Sequence, residues 1–170
     1  LGRHRFIGHD IKGGEIVKKE LSKLKFSNKQ INYISDMVKY HIYPASLANC
    51  DNKDNNKKAY ARFIRKLGNN VEDIIELSRA DRLSARGKDV SDEMIQNALN
   101  HLQDLLNYYK EVKSIVQNPK PLLDGKEIML LLNLKPSKKI GEILENLVVA
   151  QLSGEIKTKE EAIDFIQKLY

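Results

Sequence analysis

The stretch LDGKEIMLLLNLKPSKKIGEILENLVVAQLSGEIKTKEEAIDFI, residues 123–166, determines the predicted fold class of this chain. Two pairs of residues in it mark the starts of helices. Asp124 is followed three residues later by Glu127, and Thr158 is followed in the same way by Glu161. Each pair has the pattern of a capping box, in which the two side chains accept hydrogen bonds from each other's backbone N–H groups. The sequence therefore predicts a short helix after Asp124 and a terminal helix after Thr158.

A longer helix is predicted between these two. After the turn NLKPS, apolar residues recur at helical spacing from Ser137 to Leu152. Gly154 follows at a position where a glycine commonly ends a helix. No segment of the chain shows the alternation of apolar and polar residues, bounded by hairpin turns, that is typical of β-strands. These patterns predict an all-α fold.

The chain before this stretch predicts further helices. Ser27 and Gln30 form another capping box, and Ser91 begins a long helix that ends near Val116. The polar segment NCDNKDNNKK, residues 49–58, is typical of a surface loop. Other helices are predicted over residues 16–26, from Ala59 to Leu67 with Gly68 as the cap, and from Asn70 as the N-cap to Gly87.

The prolines of NPKP, residues 118–121, mark the predicted domain boundary. We expect a larger multi-helix bundle over residues 1–117 and a small helical domain over residues 118–170. The chain begins with Leu1 rather than with Met, which favours a fragment or a processed form.

Composition excludes several classes of protein. No apolar run approaches the roughly 18–20 residues needed to span a bilayer, and the N-terminus lacks the apolar core of a signal peptide. Cys50 is the only cysteine, which excludes an intrachain disulfide and a cysteine-based metal cluster. We therefore expect a cytoplasmic protein without a membrane partner.

The net charge of +6 is unevenly distributed along the chain. Residues 1–70 contain 15 Lys and Arg against 6 Asp and Glu, a net +9, whereas residues 71–170 contain 14 against 17, a net −3. Such an asymmetry favours a polyanionic partner that contacts the first half, although a lysine-rich surface is often only a solvated face.

Two basic clusters are candidates for binding the phosphates of a nucleic acid. The first lies in YARFIRKLG, where the basic residues recur at i, i+3 and i+4 and so share one helix face. The second lies in LKPSKKIG, where lysines surround a turn that leads into a helix, whose free N–H groups and dipole favour phosphate. A solvated cationic surface is the simpler explanation of either cluster, and the second cluster is the more specific of the two because its turn leads into a helix. The candidate residues are Arg62, Arg65 and Lys66 in the first cluster, and Lys135, Lys138 and Lys139 in the second.

Histidines and one aspartate are candidates for metal binding. His9 stands at the predicted start of the first helix, His41 at the end of the second, and Asp81 inside the fourth. The simpler interpretation is that both histidines border the core and that Asp81 pairs with Arg62 or Arg65, because spacing alone does not bring the three together. The chain contains no GxxxxGK[ST], HExxH or nucleophile-elbow motif, and no acidic pair of the kind that holds magnesium for nucleotidyl transfer.

Four segments of the chain together resemble a known family. GRHRFIGHDIKGGEI, LKFSNKQINYISDMVKYHIYP, RFIRKLGNNVEDIIELSRADRLSARG and the stretch 123–166 resemble, in this order, the C-terminal portion of bacterial tRNA nucleotidyltransferases. This family comprises the CCA-adding enzymes and the related poly(A) polymerases. The last segment is the most specific of the four.

The resemblance implies that this chain binds tRNA. In the family, a catalytic head domain that uses Mg²⁺ together with CTP or ATP precedes helical regions that hold the tRNA. Because that head would be missing here, the resemblance implies that the chain positions tRNA and does not itself transfer nucleotides. Which nucleotides the whole protein adds depends on that head.

The resemblance also implies a remnant of an HD-type domain. His9 matches a histidine of the family's GH-containing motif, His41 a later histidine and Asp81 a final aspartate, so a divalent metal at these three residues is expected only as an incomplete site. The HD doublet itself would lie upstream of Leu1, and Asp10 is interpreted as an acidic residue at a helix start. The alternative function is therefore a metal-dependent phosphohydrolase or phosphodiesterase that acts on nucleotides.

Overall fold

The computed structural model describes residues 7–47, 53–85, 87, 90–117 and 120–170, with residues 53–55 described for their backbone only. Helices and connecting turns account for these residues, and no strand occurs among them, so the predicted all-α fold is confirmed. A 3₁₀ turn, Gly68–Asn70, precedes α5. The helices are α1 (His9–Lys23), α2 (Asn28–Tyr40), α3 (Tyr43–Ser46), α4 (Lys53–Leu67), α5 (Val71–Ser84), α6 (Asp92–Gln117), α7 (Gly125–Leu131), α8 (Lys138–Leu152) and α9 (Lys159–Leu169).

The three predicted capping boxes are confirmed. Ser27, Asp124 and Thr158 each accept a hydrogen bond from the backbone N–H three residues later, and the side chain there accepts one from the cap residue. Ser91 also caps α6, since its Oγ accepts from the N–H of Met94 at 3.1 Å. Gly154 ends α8 with a φ of +75°, a conformation that favours glycine.

Gly8 and Asp10 confirm the interpretation of the first helix start. Gly8 precedes α1 in the left-handed region, with a φ of +77°. Asp10 lies in the first turn, where an acidic side chain is favoured by the positive end of the helix dipole.

Four local predictions were wrong. The helix predicted over residues 16–26 belongs to α1, which ends at Lys23, and Lys25 beyond it has a φ of +59°. The predicted loop 49–58 is helical from Lys53 onward. This polar run contains no proline or glycine, so it extends the helix whose later apolar residues pack in the core. Residues 49–52 of the predicted loop lie outside the described residues. Asn70 makes no capping hydrogen bond, because the 3₁₀ turn runs directly into α5. That helix ends at Ser84 rather than at Gly87, and its last hydroxyl donates to the carbonyl of Asp81 at 2.8 Å.

Contacts divide the chain into two compact units. One comprises Leu1–Asn49 and Asn70–Leu106, and the other comprises Cys50–Asn69 and Asn107–Tyr170. The domain boundary predicted between residues 117 and 118 separates segments that would fold independently. Contacts within the folded chain do not test independent folding, so the boundary stays a prediction.

The first unit is built on the contact between α1 and α2, with α5 packed against α2 and α3. Ser35, which is buried, donates its hydroxyl hydrogen to the carbonyl of Gly14 at 3.0 Å and so joins the first two helices. At the other side of α2, the Tyr33 hydroxyl donates to the carboxylate of Asp73 at 2.9 Å, and this hydrogen bond raises the pKa of Tyr33.

The second unit packs α4, α7 and α9 around α8. Tyr108 donates its hydroxyl hydrogen to the carbonyl of Leu152 at the end of α8, and burial raises the pKa of Tyr108 to about 12. Among the helices of the described residues, none combines the length and the apolar character needed to cross a bilayer.

Candidate nucleic-acid interface

One face of α4 carries the first basic cluster. Arg62, Arg65 and Lys66 are all exposed, as their i, i+3, i+4 spacing predicts for one helix face. The opposite side of the helix packs into the second unit and fixes the orientation of this basic face. The buried residues on that side are Tyr60, Ala61, Phe63, Ile64 and Leu67.

Two carboxylates of α8 lie beside this basic face. Glu142 and Glu145 line a hollow of about 470 Å³ together with Arg62, Arg65 and Lys66. Sequence reasoning missed them, although their spacing of three residues places both on one face of α8. Three cations against two carboxylates leave a net positive charge, so the hollow attracts an anion more weakly than the arginines and the lysine alone would.

The lysine turn, defined by Lys135, Lys138 and Lys139, begins α8. All three lysines are exposed. Ser137 occupies the N-cap position in an extended conformation, and its side chain accepts no capping hydrogen bond, unlike the cap residues of α2, α7 and α9. The N–H of Ile140 donates to the carbonyl oxygen of Ser137 at 3.1 Å. The N–H groups of Lys138 and Lys139 precede it in the first turn, where a helix offers no intrahelical acceptor, and they stand beside the lysines without a side-chain cap. This combination of N–H groups and positive charge suits a phosphate.

Tyr170 contacts both Lys139 of the lysine turn and Asn146 further along α8. Asn146 donates from Nδ2 to the Tyr170 hydroxyl at 2.6 Å, and Lys139 places its Nζ 5.7 Å from the centroid of the Tyr170 ring. These contacts hold an aromatic side chain that is 43 % exposed next to a cation. Sequence reasoning missed Tyr170 and Asn146, because they are 24 residues apart and only the packing of α9 on α8 brings them together.

Comparison with known proteins identifies the family. The model of a protein family described as tRNA nucleotidyltransferase domain 2 matches residues 10–166. The chain belongs to the tRNA nucleotidyltransferase family. No solved structure matches it.

Individual family members resemble the chain over nearly its whole length. It is 31 % identical over 166 residues to the CC-adding tRNA nucleotidyltransferase of Thermus thermophilus, and this match covers 98 % of the chain and 34 % of the relative. It is also 31 % identical over 172 residues to the A-adding tRNA nucleotidyltransferase of Deinococcus radiodurans, covering 98 % of the chain and 36 % of the relative. The CC-adding enzyme of Synechocystis is 24 % identical over 155 residues, covering 91 % and 33 %. The chain thus spans about a third of the length of the curated relatives it matches.

In this member of the tRNA nucleotidyltransferase family, the structure brings together two of the three predicted metal ligands. The rings of His9 and His41 lie edge to face with centroids 5.3 Å apart, and Nδ1 of His41 is 2.7 Å from the carbonyl oxygen of Val38. Asp81 is exposed on α5. Within the described part of the chain, no three His, Cys, Asp or Glu side chains form a group that could hold a metal ion. The three residues therefore do not by themselves fit a divalent ion, and the phosphohydrolase alternative receives no support.

Proposed function

We propose that this chain is the tRNA-binding helical part of a tRNA nucleotidyltransferase, and that it holds tRNA in position while another part of the protein adds nucleotides. The observation that carries the proposal is the lysine turn. Three exposed lysines stand at the start of α8, where the side chain of Ser137 provides no cap. The chain belongs to a family named for tRNA, and tRNA is a polyanion of the kind that such a surface would bind.

The mechanism of binding is electrostatic. Lysine side chains and uncapped N–H groups at the start of α8 bind backbone phosphates, and such contacts fix the orientation of a nucleic acid without reading its sequence. The basic face of α4, formed by Arg62, Arg65 and Lys66, adds a second set of cations in the same compact unit. All tRNAs share the same phosphate backbone. A surface that binds phosphates therefore suits a substrate that is recognised by its shape rather than by its sequence.

Nucleotide addition belongs to the whole protein. The relatives are named for adding CC or A to tRNA, and the chain covers only 34–36 % of two of them. We therefore propose that CTP or ATP and the catalytic Mg²⁺ are bound by a part of the protein outside this chain. The chain alone is expected to bind tRNA and to add no nucleotide to it.

The test measures tRNA affinity against salt concentration for the chain and for a charge-reversed variant. We expect K135E/K138E/K139E to weaken tRNA binding at least about tenfold at roughly 50 mM salt and to flatten the salt dependence. The reason is that each lysine that no longer neutralises a phosphate reduces the slope of log K against log[salt] by about 0.9. The matched control is K110E/K126E/K157E, which changes the net charge equally at three exposed lysines of the same unit outside both basic clusters. The control should lose less affinity and keep the slope.

Two results would contradict the proposal. If the unmodified chain does not bind tRNA at about 50 mM salt, the chain is not a tRNA-binding part of the protein. If both triple variants lose affinity equally, net charge alone drives binding, and the lysine turn is not a phosphate site.

A further inference from the structure

A groove lies where α4, α8 and α9 meet in the second compact unit. Its volume is about 350 Å³, near the lower end of the roughly 300–1,000 Å³ typical of ligand pockets. The groove is therefore of a size for a single small group rather than for a folded segment. Its walls include Lys58, Arg62, Asn146, Val149, Phe165 and Tyr170.

One wall of the groove carries a held aromatic ring. Tyr170 is fixed at its hydroxyl by Asn146, and its ring contacts Lys139 of the lysine turn. An aromatic ring that is already fixed loses little conformational freedom when a second ring stacks on it. Phe165 adds a half-buried aromatic side chain to the same groove.

Cations from α4 also line the groove. Lys58 pairs with Glu155 at 2.9 Å, so its charge is partly compensated. Arg62 lines both this groove and the neighbouring hollow with Arg65 and Lys66. A phosphate backbone that crosses the basic face of α4 would therefore reach the groove through Arg62.

We propose that the groove binds one unpaired nucleotide of an RNA, with its base stacked on Tyr170 and its phosphate on Arg62. This inference rests on the proposed RNA-binding function and adds a preference for a nucleotide outside a duplex. Base stacking on an aromatic side chain needs only the face of the base and tolerates any sequence. A base within a duplex is already stacked on its neighbours and does not enter the groove.

The experiment uses the full chain and two RNA probes: a short single-stranded oligouridylate that contains one 2-aminopurine, and a blunt RNA duplex. We expect Tyr170→Ala to weaken binding of the single strand by about 5- to 150-fold, the range that follows from stacking of one base on an aromatic side chain. Binding of the duplex should stay within about threefold. The fluorescence of 2-aminopurine, which falls when the base stacks, should drop on binding to the unmodified chain and not on binding to Tyr170→Ala.

Two further variants separate stacking from folding and from exposed aromatic surface. Tyr170→Phe keeps the ring but loses the hydrogen bond from Asn146 that fixes it, so it should bind the single strand less tightly than the unmodified chain, more tightly than Tyr170→Ala, and still quench the fluorescence. Tyr33→Ala removes a tyrosine of similar exposure, 40 %, from the first unit and should leave both RNA affinities unchanged.

The outcomes distinguish this inference from the proposed function. If the chain binds RNA but Tyr170→Ala binds the single strand like the unmodified chain, the nucleotide site is wrong and the RNA-binding function stands. If the unmodified chain binds neither RNA nor tRNA, the proposed function fails and the site fails with it. If a polyglutamate peptide binds with the same dependence on Tyr170 and the single strand does not, the groove is a site for an acidic protein segment.

Discussion

Gly13 and Gly14 allow α1 to approach α2 closely. A Cβ atom added at Gly13 would lie 2.9 Å from Cγ1 of Val38, and one at Gly14 would lie 3.3 Å from the carbonyl oxygen of Ser35. The structure places both inside α1, where they serve close packing.

Substitution of Gly13 tests this contact. We expect Gly13→Ala to destabilise the chain by about 1–2 kcal/mol, because Val38 is β-branched and has little rotamer freedom in a helix. The overpacking should outweigh the roughly 1 kcal/mol by which alanine is the better helix former. Thermal or urea unfolding followed by circular dichroism measures the change.

Gly141 supplies the matched control for that substitution. It lies in α8, and an added Cβ would meet no described atom within 4 Å, so Gly141→Ala should stabilise the chain by about 0.5–1 kcal/mol.

The double variant Gly13→Ala/Val38→Ala should lose less stability than the sum of its single substitutions. If the two losses are simply additive, the contact with Val38 is not the cause.

An ion pair joins α7 to α9. Lys159 in the first turn of α9 pairs with Glu127, whose other carboxylate oxygen accepts the N–H of Asp124 in the capping box of α7. The hydrogen bond from Lys159 and that from the backbone of Asp124 lower the pKa of Glu127, and the same pair raises the pKa of Lys159. Lys159 is exposed and Glu127 is partly exposed, so the contribution of this ion pair is small and is reduced by salt.

The ion pair predicts a pH dependence of stability. A carboxyl group whose pKa is lowered by folding stabilises the folded state above its ordinary pKa of about 4.3, and this contribution is lost as the pH falls through the lowered pKa. Glu127→Gln keeps an amide oxygen for the capping box and removes the charge. We expect the Tm of Glu127→Gln to be below that of the unmodified chain at neutral pH, and the difference to vanish in acid.

The measurement is a series of thermal unfolding curves from neutral to acidic pH at low salt. Glu111→Gln, at an exposed carboxylate of the same unit, is the control and should show a smaller difference in Tm at neutral pH. A Tm difference for Glu127→Gln that persists unchanged in acid would mean that the substitution acts through the cap and not through the charge.

The helices after residue 122 share a core of their own. Nine buried residues form this cluster, and all of them lie between residues 123 and 166. The domain over residues 118–170 stays a prediction, because α8 also packs against α4 of the same compact unit. The buried residues are Leu123, Ile128, Ile140, Ile143, Leu147, Ala150, Ile156, Ala162 and Ile166.

Expression of residues 118–170 alone tests whether this part is a domain. We expect a helical fragment that unfolds cooperatively. Its Tm should be below that of the whole chain, because α8 is no longer covered by α4 and because so short a chain buries a small fraction of its surface. Far-UV circular dichroism and differential scanning calorimetry measure both properties. A fragment that unfolds without a cooperative transition would show that residues 118–170 need α4 to fold.

Local features of this protein could be predicted from the sequence because their partners are near neighbours along the chain. The capping boxes at Ser27, Asp124 and Thr158 depend on residues three positions apart, and so they followed from the sequence alone. The shared face of Arg62, Arg65 and Lys66 followed in the same way from the helical repeat. The start of α4 at Lys53 did not, because a polar helix end depends on the packing of apolar residues further along.

The candidate site depended on contacts between residues that are distant in sequence. Glu142 and Glu145 stand beside the basic face because α8 packs on α4, and Tyr170 contacts Asn146 and Lys139 because α9 packs on α8. The helical repeat of a single segment cannot predict such pairs, because they depend on how whole helices pack against each other. The sequence by itself therefore determined the capping boxes at three helix starts and the shared face of the cations on α4. Only the tertiary structure decided which carboxylates and which aromatic ring those cations face.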